Sequence, residues 1–186
     1  MSTRSNIAVQ LKDSVKVNAV YCHCDGYIQG VGKTLFENYK TYDDALSLLQ
    51  FGGISSLGNN LKETSFYSRD WGRKDEDNKC TEYQNEFSFM YNMRGDCWIE
   101  YIYLFKNNKW LVSTSTCIPS KKLKNAYDMG VIYWTKFIPV DMHKDFSKKS
   151  NGMTEKQMIS SLGQLLTKSF GGDNLIVQGQ SKKELN

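Results

Sequence analysis

In 186 residues the chain has two histidines, two prolines, five cysteines at no framework spacing, and no apolar run approaching the ~20 residues of a membrane span. Each shortage removes a class of function. His23 and His143 stand far apart in the chain and no CxxC or HxxxH pair accompanies them, so no zinc-ligand pattern is present. Cys22-His23-Cys24 does not supply one. On an extended strand the two sulfurs share a face and the imidazole takes the other, and thiolates two residues apart do not chelate a tetrahedral ion comfortably. Neither a metal nor a cofactor is expected. Cys22, Cys24, Cys80, Cys97 and Cys117 make an odd set, and Met1-Ser2-Thr3-Arg4 lacks the apolar core of a signal peptide. Both features point to a reducing, cytoplasmic setting without membrane attachment. An acidic excess is missing as well: Lys and Arg total 24 against 20 Asp and Glu, for a net charge of +4. That balance tolerates an anionic partner and argues against a DNA mimic, which would be strongly acidic.

What is present is a globular composition, 40% hydrophobic and 13% aromatic, long enough for one core. Ile7–Leu11 and Val15–Tyr21 flank the polar turn Lys12-Asp13-Ser14 as a β-hairpin. Val31 to Tyr39 puts Leu35, Phe36 and Tyr39 on one helical stripe. A second helix begins at Thr41, with Asp44 completing a capping box, and stops at Phe51-Gly52-Gly53. Ile54 to Gly58 reads as an apolar-anchored loop, and Thr64–Tyr67 and Glu86–Met93 as strands. Trp98–Phe105 turns at Asn107-Asn108 into Lys109–Ser113. Trp98 and Glu100 point to one face of this hairpin, and Ile99, Tyr101 and Tyr103 to the other. Val131–Ile138 reads as one more strand, and Thr154–Gln157 caps a last helix carrying Ile159, Leu162, Leu165 and Leu166. The expected fold is α+β: a mainly antiparallel sheet of hairpins with two or three packed helices. It forms a single domain over 1–178, with a flexible tail at 179–186.

Chemistry-bearing residues concentrate between positions 19 and 39. Tyr21, His23, Asp25, Tyr27 and Lys33 surround Gly26, Gly30 and Gly32, whose backbone amides are free to face a ligand. Gly32-Lys33-Thr34 invites a phosphate-loop reading, but the first glycine of that pattern would have to occupy the position held by Tyr27. The only apolar run that ends in aspartate, Phe137 to Asp141, contains Pro139, so no metal-binding acidic strand follows. Farther along, Arg69, Trp71 and Arg73 sit in a charged loop. Two lysine groups, Lys121, Lys122 and Lys124 and then Lys144, Lys148 and Lys149, form solvated loops or a phosphate-facing patch. Tyr101 and Tyr103 cover a core or stack bases, which leaves direct nucleic-acid binding as a weaker alternative.

The segments Arg4-Ser5-Asn6-Ile7-Ala8-Val9, Val20 to Tyr27, Gly32-Lys33-Thr34-Leu35 and Gly53-Ile54-Ser55-Ser56-Leu57-Gly58 together resemble a widespread family of small proteins of uncharacterised function from phages and bacterial mobile elements. The family loop reads His-Trp-Asp-Gly-Tyr, and this chain carries Cys24 at the tryptophan position. The similarity continues through Tyr67-Ser68-Arg69-Asp70, Glu100-Tyr101-Ile102-Tyr103 and Lys109-Trp110, covering about residues 4–112 and leaving 113–178 divergent. The resemblance implies a phage-encoded accessory protein in the host bacterial cytoplasm, of the kind that acts against host defence, and it brings no enzymatic assignment.

Three readings stand on these residues. The first is non-catalytic sequestration of an anionic, nucleotide-type ligand, with Lys33, Arg69 and Arg73 as charge partners. Tyr21, Tyr27 and Trp71 would be its stacking surfaces, with His23 and Asp25 beside them. The second is a protein–protein inhibitor of a host defence factor, in the manner of an anti-CRISPR protein, contacting through the C-terminal third. The third is a small hydrolase or nuclease in which His23 and Asp25 perform acid–base chemistry while Lys33 or Arg69 steadies an oxyanion. A homo-oligomer is compatible with all three.

Overall fold

The computed structural model describes residues 3–73, 78–93, 98–118 and 131–147. Two hairpins organise it. In the first, β1 (Arg4–Gln10) and β2 (Val17–Cys22) pair antiparallel, and the turn is closed by Asp13 at φ 54° and by the Leu11 N–H donating to the Lys16 carbonyl at 2.9 Å. In the second, β6 (Ile99–Lys106) and β7 (Lys109–Ile118) are joined by Asn107 and Asn108 at φ 51° and 56°. Two successive left-handed residues define the turn whose twist matches that of the strands, and asparagine tolerates that conformation better than most residues.

The hairpins meet where β1 lies parallel to β6, with Ile7 opposite Tyr103. Short strands extend the sheet: β3 (Ile54–Ser56), β4 (Ser65–Phe66) and β8 (Val131–Trp134) give the order β4-β3-β2-β1-β6-β7-β8. Off this path β5 (Thr81–Tyr83) pairs with β2 and β9 (Ile138–Pro139) with β7. Four helices, α1 (Lys33–Asn38), α2 (Tyr42–Ser47), α3 (Tyr67–Trp71) and α4 (Glu86–Asn92), accompany it among the described residues. The fold is α+β, as the sequence predicts.

β1 is buried along its length from Ser5 to Val9 because both faces of the sheet are covered. Ile7, Val9, Val20, Tyr103 and Phe105 pack with Leu35 of α1 and Ala45 of α2 in one core. Ala8, Ala19, Ile102 and Leu104 pack with Phe89 of α4 in another. Burying each of the large side chains contributes roughly 1.5–3 kcal/mol. The capping box predicted at α2 is present in both directions: Thr41 Oγ1 accepts from the Asp44 N–H at 3.1 Å, and Asp44 accepts from the Thr41 N–H at 3.0 Å. These bonds hold the Asp44 carboxyl below its usual range.

Several local expectations are corrected. Glu86–Met93 is helical, not extended: Phe87, Phe89 and Tyr91 alternate like a strand, but Asn85 and Ser88 form a capping box that starts α4, and of these three only Phe89 is buried. Ile54–Ser56 is a strand, held between Cys22 and Phe66 by long-range pairing that local pattern does not signal. The strand expected over Thr64–Tyr67 is only Ser65–Phe66, and Tyr67 opens α3. The strand expected over Val131–Ile138 is split at 135–137 into β8 and β9. Ile99 does not share a face with Tyr101 and Tyr103. Arg4 pairs with Ile99 and Ser5 with Tyr101, so a bulge at Glu100 sends Ile99 to the α4 side. The last helix from Thr154, the tail, and every lysine of the two groups except Lys144 lie outside the described residues. Among the described residues no helix is long and apolar enough to cross a membrane.

Candidate functional site

The glycine loop is built inward. The Gly26 N–H donates to the Thr3 carbonyl at 2.9 Å, that of Gly30 to Tyr27 at 3.1 Å, and that of Val31 to Asp25 at 2.8 Å. Residues Ile28–Gly32 form a single π-helical turn that leads straight into α1. The glycines are needed for close approach. A Cβ at Gly26 would sit 2.8 Å from the Arg4 carbonyl carbon, and one at Gly30 would overlap the Asp25 carbonyl oxygen. The Tyr103 hydroxyl, fully buried, donates to the Gly26 carbonyl at 2.8 Å and lies under Gly32. The backbone amides expected to face a ligand are therefore committed to protein acceptors, and the loop is a strand-to-helix joint.

Two of the expected charge partners are committed elsewhere. Arg69 grips Asp70 with two nitrogens, at 2.6 and 2.8 Å, donates to the Leu61 and Thr64 carbonyls at 2.8 and 2.6 Å, and lies over the rings of Phe51 and Phe66. It ties the β4–α3 corner together, and its hydrogen bond holds the Asp70 carboxyl below its ordinary value. Lys33 pairs with Glu37 one turn along α1 at 3.8 Å. Asp25 takes a left-handed backbone at φ 55° and is exposed. Partial burial, followed by the charge of Asp25, raises the hydroxyl pKa of the exposed Tyr27. Cys22 is fully buried, and burial pushes its thiol up to about 12.

The remaining expected residues come together where the end of β2 meets α3. The Tyr21 hydroxyl and His23 Nδ1 share a hydrogen bond of 2.8 Å. The His23 ring stands edge-on to Tyr21 and to Tyr67, with centroids 5.9 and 6.5 Å apart, and Tyr67 is edge-on to Trp71 at 5.8 Å. The Arg73 guanidinium completes the row, 5.6 Å from the Tyr67 ring and 5.7 Å from that of Trp71. Its position follows from the end of α3, where Gly72 turns left-handed at φ 67° and the Arg73 N–H donates to the Tyr67 carbonyl at 3.0 Å. Trp71 is 56% exposed and is steadied by its indole N–H on Ser65 Oγ at 3.2 Å. Beside this ledge lies a cavity of about 350 Å³ whose lining includes Phe51, Ser68, Arg73, Lys79 and Cys80.

Of the expected site residues, Tyr21, His23, Trp71 and Arg73 are thus gathered into one row. Tyr27 and Asp25 stand together in the loop, and Arg69 and Lys33 serve helices α3 and α1. Tyr67 and Lys79 are the members that sequence reasoning missed. Tyr67 and Trp71 are four apart, the spacing that aligns two rings on one helical face, and reading Thr64–Tyr67 as a strand concealed it. Among the described residues no three of His, Cys, Asp and Glu gather as a metal ion would require. Comparison with family models, with curated proteins and with solved structures returns no match.

Proposed function

We propose that this chain is a non-catalytic binding protein that sequesters an anionic, nucleotide-type ligand on the Tyr67–Trp71–Arg73 ledge. The observation that carries the reading is the Arg73 guanidinium, held over two aromatic rings while also lining the neighbouring cavity. An exposed indole offers a stacking face for a base, and Arg73 with Lys79 offers charge for a phosphate. The resemblance over residues 4–112 supplies the biological setting, a phage accessory protein removing a nucleotide signal of host defence. Sequestration is favoured over turnover because the two groups proposed to steady an oxyanion are engaged elsewhere, Arg69 in the β4–α3 corner and Lys33 with Glu37.

The test is a thermal-shift panel of linear, cyclic and ADP-ribose-derived nucleotides, since a ligand that binds only the native state raises the melting temperature by mass action. One nucleotide class should raise it, Arg73→Gln should cancel the shift, and the nucleotide should be recovered chemically unchanged. A panel without any shift would refute the reading.

A second reading, an inhibitor that occupies a host protein, is favoured by α4. Phe87 and Tyr91 stack there at 6.3 Å while 70% and 59% exposed. Most of the C-terminal surface first expected to make that contact lies outside the described residues. A host partner lost on Phe87→Ser with Tyr91→Ser, yet retained on Arg73→Gln, would establish this reading in place of the first.

A further inference from the structure

Between α1, the β6–β7 turn and the segment after β9 lies a second cavity, of about 390 Å³, unrelated to the ledge. Its walls are aromatic and apolar: Phe36, Phe105, Trp110 and Met142. Phe105 and Trp110 are almost fully buried and meet edge to face at 5.1 Å, whereas Phe36 and Met142 keep exposed surface. The Trp110 indole N–H is already given to the Tyr39 carbonyl at 2.7 Å, which leaves its ring as lining, and the exposed Asn108 adds a neutral amide at the wall. Charge lines it too: Lys40 and Lys109, both exposed, with Asp141 as the single acid. Neither lysine makes an ion pair among the described residues.

We infer that this cavity binds a small flat aromatic monoanion, its ring between Phe36 and Trp110 and its carboxylate at Lys40 and Lys109. The volume lies at the lower end of small-molecule sites, enough for one fused ring system. Two lysines against one aspartate leave one net positive charge, which matches a monoanion and leaves a doubly charged phosphate undercompensated near Asp141. The apolar lining supplies burial and the lysines supply orientation.

Three indoles of nearly equal shape separate these contributions when titrated into the full chain and followed by calorimetry: indole-3-acetate (anionic), indole (neutral) and tryptamine (cationic). The anion should bind about tenfold tighter than indole, and tryptamine weakest. Lys40→Gln with Lys109→Gln, both surface changes, should level the three affinities, while Asp141→Asn should tighten the anion. Trp71→Ala should leave all three unchanged, which separates this site from the ledge. Equal affinity for the three indoles, absence of binding by any of them, or a preference that survives loss of both lysines would each overturn the inference.

Discussion

The loop from His23 to Gly32 and the ledge from Tyr67 to Arg73 use the same kinds of residue to opposite ends. In the loop the glycine amides are drawn into the fold, while Asp25 and Tyr27 stay exposed: Gly26 and Gly30 donate to neighbouring carbonyls, and the buried Tyr103 hydroxyl closes the joint from beneath. On the ledge Trp71 and Arg73 reach solvent, and their backbone does the structural work through the Gly72 turn. A cluster of functional residue types is therefore weak grounds for a site until the destination of each donor is known.

The largest difference between the two regions should appear in stability. Gly30→Ala drives a methyl into the Asp25 carbonyl and should cost about 3 kcal/mol in denaturant unfolding, or prevent folding outright. A loss below about 0.5 kcal/mol would mean that the joint is soft and the comparison wrong. Tyr103→Phe leaves the Gly26 carbonyl without its buried donor and should cost about 1.5 kcal/mol, measured the same way. Cys22, beneath the same loop, sharpens the contrast by pH. Burial raises its thiol from 9.0 to about 12, so between those values the unfolded chain releases a proton that the native one keeps. The Cys22 contribution should be fully retained below pH 9 and fall by about 1.4 kcal/mol for each unit above it up to about pH 12, and Cys22→Ala should make the alkaline slope shallower by that amount. Trp71→Ala should change stability by less than about 0.5 kcal/mol, because the indole is largely exposed. The same change should weaken nucleotide binding by about 1–3 kcal/mol in calorimetry, the scale of one lost stacking contact.

Features that depend on near neighbours in the chain were legible. The Lys12-Asp13-Ser14 and Asn107-Asn108 turns and the Thr41–Asp44 box each need only residues within a few positions, and each forms as the pattern predicts. Features decided at a distance were not. Ile54–Ser56 becomes a strand through Cys22 and Phe66, and the bulge at Glu100 arises from pairing with Arg4 and Ser5. At α4 the signal was local but weak, since serine at the third helical position closes a capping box less recognisably than glutamate. The ledge was half legible. Trp71 and Arg73 could be named from the sequence, but Tyr67, which links them to His23, could not while its helix was read as a strand.

The parallel seam between β1 and β6 also bears on how the chain is made. β1 finds its antiparallel partner β2 within one turn, but its other edge waits for β6, which leaves the ribosome only after α1 to α4 have all been synthesised. Until then Ile7, Ala8 and Val9 belong to an unsatisfied apolar edge, open to pairing with any extended neighbour. Synthesis stalled before Ile99 would yield a fragment holding most of the candidate ledge but lacking the strand that closes the sheet. Such a fragment should be retained by chaperones or aggregate, and the binding surface becomes dependable only when the second hairpin arrives.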